Sequence, residues 1–356
     1  MILALIALVI TLLLVVGIHE AGHAMVARLF KVKIEHIAIG FGRPLLQWQS
    51  KGGVKWIWAL WPLGGSVRLL NTRITQVAKK YHPQCFDKQS VGVRTLILIA
   101  GVLANLILAW LALLLVFVIG IYQRPPLLEQ VKPDTLAYQA GLRSGDAIET
   151  MNRTKVVSWQ QVGMLLIRGM GDSTLAIRAK SASGQQKNLK IDLTNWRIRP
   201  QDKSLLASLG MSADMNVKKQ QVIANSFPDA LVLATQSYLE MLVFFMVMLK
   251  KIVTGALPFT LLLGPVGVLE VTLLSFTQGV SVFAMFVAGL SLAVALINSL
   301  PIPGLDGGSI VYAWIEKIRG KPISVALEVL LYRLAVIIFV VLFVNLLAND
   351  IQRYLT

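Results

Sequence analysis

Residues 1–16, MILALIALVITLLLVV, carry no charge and only one polar side chain, Thr11. Where water is absent such a run must be a helix, because a helix satisfies every backbone amide and carbonyl within the segment. The run ends in GIHEAGHAMVARLF, residues 17–30, which puts His19, Glu20 and His23 on a segment apolar enough to enter a membrane. Ionisable side chains at that depth are costly and are kept for a function. The run lacks the basic leading segment of a cleaved signal, and His19 and Glu20 stand where small residues would mark a cleavage site. It is therefore expected to stay in the protein as a span.

Three further apolar stretches are expected to cross. Thr95 to Tyr122 is apolar except for Asn105 and long enough for a bilayer core of roughly 30 Å. Val280 to Ile315 is too long for one straight crossing and is interrupted at NSLPIPGLDGGS, residues 298–309. Prolines and glycines there cannot continue a helix, so Asp306 is expected on irregular backbone, tolerated at membrane depth only inside protein or a wet cavity. Leu334 to Ala348 completes the set. With 56% hydrophobic residues, 15% charged and a mean hydropathy of +0.68, the chain is too apolar for a soluble fold of 356 residues. The expected fold is a polytopic α-helical membrane protein with about four transmembrane helices.

The net charge of +16 does not point to nucleic acid, because the basic residues are spread over the polar stretches without aromatic interleaving. Loops facing anionic lipid explain it better. Lys31, Lys33, Arg43, Lys51, Lys55, Arg68, Arg73, Lys79, Lys80 and Lys88 lie between spans one and two, and Lys317 to Lys321 follow Asp306. Both short loops then belong to the cytoplasmic side, with the termini and residues 123–279 outside. The single cysteine, Cys85, excludes an internal disulfide and a cysteine-based zinc site.

Residues 227–279 either cross twice or lie on the membrane, since Glu240, Lys250 and Lys251 suit an interfacial helix as well as a span. Residues 127–200 read as a soluble island, with alternating segments STLAIRAK and KNLKIDL marking strands. Its Gly-Leu-x-x-Gly-Asp-x-Ile element resembles the PDZ domains of bacterial membrane-linked and periplasmic proteases, which bind an extended peptide by strand addition. A small β-rich domain without peptide binding is the alternative.

On a helix, residues four apart share a face, so His19 and His23 present two imidazoles together with Glu20 beside them, the H-E-x-x-H arrangement that binds zinc with glutamate as general base. In a soluble core two histidines satisfied by neighbours would be the plainer explanation; in a membrane span that explanation weakens. A catalytic zinc takes three protein ligands and an open position. His36 and His82 fall in the basic segment, whereas Asp306 is the one acid within a broken span and is the better third ligand. A turn or capping aspartate in GLDGG is the alternative.

Taken together, HEAGH, GFG at 40–42, PLGGSV at 62–67, AGVLAN at 100–105, the GLxxGD element and NSLPIPGLDGG resemble, in order and over nearly the whole chain, the site-2 protease family of intramembrane zinc metalloproteases. The likeness is to its bacterial members that cut anti-sigma factors and signal-peptide remnants. It implies one zinc on His19, His23 and Asp306, Glu20 as acid and base, and Asn105 and Asn298 as supporting residues. It implies a membrane-dipping β-hairpin at 40–70 that holds the substrate as an added strand, involving Gly40, Phe41, Gly42, Val54, Trp56 and Trp58; anchoring in an aromatic belt would also explain the tryptophans. It implies one extracytoplasmic PDZ domain where enterobacterial members carry two, the bacterial inner membrane as location, the active site toward the cytoplasm, and pre-trimmed single-pass membrane proteins as substrates. The expected parts are a first membrane half (1–122), a PDZ domain (123–200), a membrane-apposed helical segment (201–279) and a second membrane half (280–356). Leu103, Ser66 and Ser309 depart from the family's usual proline, tyrosine and basic residue or histidine, which bears on substrate handling more than on chemistry. The alternatives are a catalytically silent zinc-binding scaffold working through its PDZ domain, and a transporter. Glu20, which zinc binding does not require, argues against the scaffold; the lack of an internal hydropathy repeat argues against the transporter.

Overall fold

A computed structural model of the chain describes residues 2–50, 52–172, 174–198, 204–258 and 262–355. In order the elements are α1 (Ile2–Leu12), a π-helical stretch (Leu13–Gly17), α2 (Ile18–Leu29), β1 (Ile34–Gln49), β2 (Lys55–Leu69) and α3 (Val91–Ile119). There follow β3 (Ile121–Gln123), β4 (Leu128–Val131), α4 (Leu136–Gln139), β5 (Ala147–Met151), β6 (Thr154–Lys155), α5 (Trp159–Gly169), β7 (Leu175–Lys180), β8 (Gln186–Ile191), β9 (Met211–Ala213) and β10 (Gln220–Val222). The chain ends with α6 (Phe227–Val253), α7 (Pro265–Thr277), α8 (Val280–Ser299), α9 (Asp306–Arg319) and α10 (Val325–Leu355). Two compact units result, residues 1–116 with 262–356, and residues 117–261. The described residues 204–258 thus fold with the β-rich part and 262–279 with the helices.

In the helical unit α7 packs against α1, α8 and α10, and α8 packs against α9. The backbones of α2 and α3 approach closely at Gly22, where a side chain would strike the carbonyl of Ala100, the use small residues have between membrane helices. Among the described residues five helices are long and apolar enough to cross a membrane: Ile2–Leu29, Val91–Ile119, Phe227–Val253, Val280–Ser299 and Val325–Gln352. That is one more than the four expected, the addition being the segment whose sequence fitted either a span or a surface helix. Asp306 is not on irregular backbone as expected. It opens α9, after a turn at Leu300–Leu305 that separates α9 from α8.

The expected hairpin is larger than 40–70 and doubled on itself. Residues 34–39 run antiparallel to 65–69 and residues 46–49 antiparallel to 55–58, but Trp56, Ile57 and Trp58 each have a second partner, Ile37, Ala38 and Ile39, alongside which they run in parallel register. Trp48 and Trp56 stack with centroids 6.0 Å apart.

The β-rich unit contains a four-stranded sheet in the order β6-β5-β7-β8 and two strand pairs, β4 with β9 and β3 with β10. The alternation read from the sequence becomes β7, where Leu175, Ile177 and Ala179 are buried and the residues between them exposed. Met151, Leu166, Leu193 and Trp196 complete its core. In the GLxxGD element, Gly141 and Gly145 take φ of +99° and +83°, which only glycine adopts freely. Asp146 is buried there and accepts from the amide of Arg143 and from Lys187 Nζ, each at 3.0 Å. Within this unit α6 lies along α5, with Met248 and Ile252 against the core and Lys251 Nζ donating to the carbonyl of Met170.

Candidate active site

The two histidines are delivered by α2 immediately after the π-helical stretch. A π turn inserts extra residues and rotates the face of the helix that follows, a device common at functional sites. His19, Glu20 and His23 are all at least nine-tenths buried. Room for them comes from α3: a Cβ at Gly101 would collide with both imidazole rings. Gly101 was not singled out from the sequence, and its only signal there is its place in AGVLAN.

Each imidazole is oriented from behind. His23 Nδ1 lies 2.8 Å from the carbonyl of Ile97, an acceptor, so Nδ1 carries the proton and Nε2 presents its lone pair forward. His19 Nδ1 lies 3.4 Å from the Asn105 amide, which is fully buried with its Oδ1 unpartnered. Turning that amide over sets Oδ1 against Nδ1–H and satisfies both groups.

Asp306 comes from the other half of the helical unit. Its place at the first residue of α9 favours the carboxylate, since the unpaired amides of a helix start carry partial positive charge. Gly307 and Gly308 allow the preceding turn to fold against the helix; side chains there would strike the carbonyls of Ser299, Leu300 and Ile302.

The three groups converge. Asp306 Oδ2 is 3.1 Å from His19 Nε2 and 3.3 Å from His23 Nε2, and the two Nε2 atoms are 3.1 Å apart. Nitrogen and oxygen ligands bound at about 2.0–2.1 Å around a tetrahedron stand about 3.3 Å from one another, so the spacing fits a zinc ion. Asp306 Oδ2 is buried without a hydrogen bond, as a carboxylate oxygen reserved for a cation would be. Among the described residues this is the group of three or more metal-ligating side chains, and neither His36 nor His82 belongs to it. His36 sits on β1, where burial and the neighbouring Arg68 lower its pKa, and His82 Nε2 contacts the carbonyl of Val77 at 3.2 Å.

Glu20 is not part of that triangle. β2 passes beside it: a Cβ at Gly65 would come within 3.1 Å of its Cγ. The Asn298 amide donates to Val294 of its own helix at 3.0 Å, and no described contact joins it to the histidines. Gly40 and Gly42 both take φ of +90°, breaking the regular pairing of β1 where GFG stands. Val54 is buried at the turn and its carbonyl accepts from Ser50. Trp56 and Trp58, already paired on both sides, offer no free backbone edge for an added strand, because the ribbon folds back over the segment read as an edge. The side chains of Phe41 and Trp61 lie outside the described residues.

Comparison with known proteins places the chain in a family. The model of peptidase family M50 matches residues 7–342. The regulator of sigma-E protease RseP of Escherichia coli is 26% identical over 438 aligned positions, with 97% of each chain covered, and that of Salmonella typhimurium is 26% identical over 440, with 98% of each covered. A protein of Rickettsia conorii named for zinc metalloprotease activity is 30% identical over 365 positions, with 99% of each covered. The longer alignments exceed the 356 residues of this chain, so the enterobacterial proteins carry segments it lacks.

Proposed function

We propose that this chain, which belongs to peptidase family M50 and is a zinc metalloprotease with several apolar helices, cuts single-pass membrane proteins within their apolar segments. The observation that carries the reading is the convergence of His19, His23 and Asp306 at tetrahedral spacing beside Glu20, all within the helical unit. In this reading those three residues hold one zinc. Bound there, the ion supplies a Lewis acid that polarises a carbonyl and acidifies water. Glu20 takes a proton from the attacking water and delivers it to the departing amine. Ile97 and Asn105 hold the imidazoles in the tautomer that leaves Nε2 free, and Asn298 acts at the end of α8 without touching the ligands.

A helical substrate hides its carbonyls in its own hydrogen bonds and must be unwound before attack. Strand addition to the β1–β2 ribbon supplies replacement partners. The stretch Gly65–Leu69 is the best placed, since it runs beside Glu20, and Gly40, Gly42, Val54, Trp56 and Trp58 then shape the ribbon.

The basic loops support a reading in which the active site faces the cytoplasm of the bacterial inner membrane, with anionic lipid against them. In this arrangement four helices cross. α6 stays on the outer surface, which its packing on α5 and on the core of the β-rich unit supports, and α7, at 13 residues, is too short to return the chain. The β-rich unit, centred on 123–200, is a single PDZ-type domain that contacts or sizes pre-trimmed substrates, anti-sigma factors or signal-peptide remnants among them. The test is incubation of the purified chain with a model single-pass substrate and mass-spectrometric mapping of the products. Cuts inside the apolar stretch that a zinc chelator abolishes are expected, and cuts confined to the soluble flanks would overturn the reading.

A further inference from the structure

The face that α3 turns to the candidate site is longer than the site itself. Arg94, Ile97, Gly101 and Asn105 follow one another at intervals of three, four and four residues, so they line a single face of the helix. Gly101 makes room for both imidazoles, Ile97 and Asn105 orient them, and all four residues are buried. Arg94 continues that face one turn toward the start of α3, and no described contact joins it to either histidine. Its Nη1 donates instead to Glu316 Oε2 of α9 at 2.8 Å, with 7% of the arginine side chain and 26% of the glutamate exposed.

α9 is the helix that Asp306 opens, and Glu316 lies ten residues, about 15 Å, along it. The helix packs on α8. Among the described residues, the polar contacts that tie it to the elements bearing the histidines and their supports are the ligand cluster itself and the Arg94–Glu316 pair. The cluster cannot hold itself together, because a carboxylate opposite two imidazole lone pairs gains nothing until a cation sits between them. The other contact must hold the helix in place beforehand. A buried ion pair adds little net stability, and its best-attested use is to fix register.

We infer that Arg94 is a positioning residue for the metal site: through Glu316 it fixes the height and rotation of α9 against α3, and so sets Asp306 at ligand distance from His19 and His23. α3 is then the template for both halves of the site, orienting the imidazoles by Ile97 and Asn105 and the carboxylate by Arg94. The inference rests on the zinc reading above.

Three measurements on the full chain in detergent test it: zinc affinity by competition with a fluorescent chelator, the visible spectrum of the cobalt-loaded protein, which follows ligand geometry, and the unfolding midpoint of the metal-free protein. Arg94→Gln should weaken zinc binding about ten-fold, the low end of what losing a residue that supports metal ligands costs, and should alter the cobalt spectrum. Arg94→Lys, which keeps a charged donor, should recover part of both. Arg73→Gln is the comparison. It breaks an ion pair of the same 2.8 Å length, but to Glu328 of α10, and should lower the unfolding midpoint with zinc affinity and spectrum unchanged. Arg94→Met combined with Glu316→Met leaves no unpaired charge behind and so spares the fold, yet it should show the same weakened zinc. Parental zinc affinity in that double variant or in Arg94→Gln, or an equal loss in Arg73→Gln, would overturn the inference. If Asp306→Asn keeps full zinc, the metal reading fails and this one with it; zinc lost in Asp306→Asn but held in the Arg94 variants sinks this one alone.

Discussion

Three aspartates, two buried whole and one with a buried carboxylate oxygen, show how differently the two units treat a carboxylate. In the β-rich unit Asp146 receives Lys187 Nζ and the amide of Arg143. At the far end of the helical unit Asp350, 1% exposed, accepts three backbone amides, from Gly264, Val266 and Gly267, each at 2.9 Å, and so caps the start of α7. Both are closed by donors that the protein supplies. Asp306 Oδ2 is buried as well, yet what faces it is two imidazole nitrogens and no hydrogen bond. A buried carboxylate satisfied from within is architecture; one facing only lone-pair donors is waiting for a cation.

The strongest way to break that contrast is Asp306→Asn. Replacing an anionic ligand with a neutral one beside two imidazoles should strip most of the zinc from the purified protein and abolish cleavage, with partial recovery in excess zinc. Metal analysis showing full zinc would mean that the third ligand is misassigned. Glu20→Gln should separate the two functions, retaining zinc but lowering turnover by a factor on the order of a hundred or more, because the amide cannot take a proton. Parental turnover in this variant would remove Glu20 from the mechanism.

Asp350 tests the architectural side. Asp350→Ala leaves three amides, two of them buried, without an acceptor and should lower the stability of the helical unit by on the order of 3 kcal/mol, with Asp350→Asn losing less. Thermal unfolding in detergent reads this, and a shift corresponding to less than about 1 kcal/mol would show that the cap is dispensable.

The residues of the candidate site were legible in the sequence for one physical reason. Charges inside apolar runs are expensive, so His19, Glu20, His23 and Asp306 stood out against their surroundings. The pattern of α2 and the break before α9 followed from helix periodicity and from Pro301, Pro303 and Gly304. What could not be read were features that depend on contact between distant segments. Gly101 matters because of rings on another helix, and the π turn at Leu13–Gly17 has no composition of its own, being five apolar residues like their neighbours. The ribbon looked like a simple hairpin because alternation specifies a strand but not how many partners it takes, and Trp56 has two. Asp350 drew no notice at the end of a greasy helix, since its three donors lie more than eighty residues away.

The smallest effect lies in the polar segment between the ribbon and α3. Asp87 accepts from both the amide and the hydroxyl of Thr72, and its side chain is only 5% exposed. Burial pushes the carboxyl up, but those hydrogen bonds and Lys88 outweigh it and hold its pKa below the ordinary aspartate value. A group depressed on folding stabilises the fold above its unfolded pKa, and that contribution is lost as pH falls through the folded value. Thr72→Val removes the hydroxyl donor and keeps the amide, so the folded pKa should rise toward the ordinary value. Near neutrality the variant should be less stable by about 1 kcal/mol. Below the folded pKa of the parent the two proteins should converge, because neither then has an ionised Asp87 to stabilise. Unfolding midpoints measured from pH 7 down to acid should show the gap closing; a constant gap at every pH would mean that Thr72 acts through packing and not through the charge of Asp87.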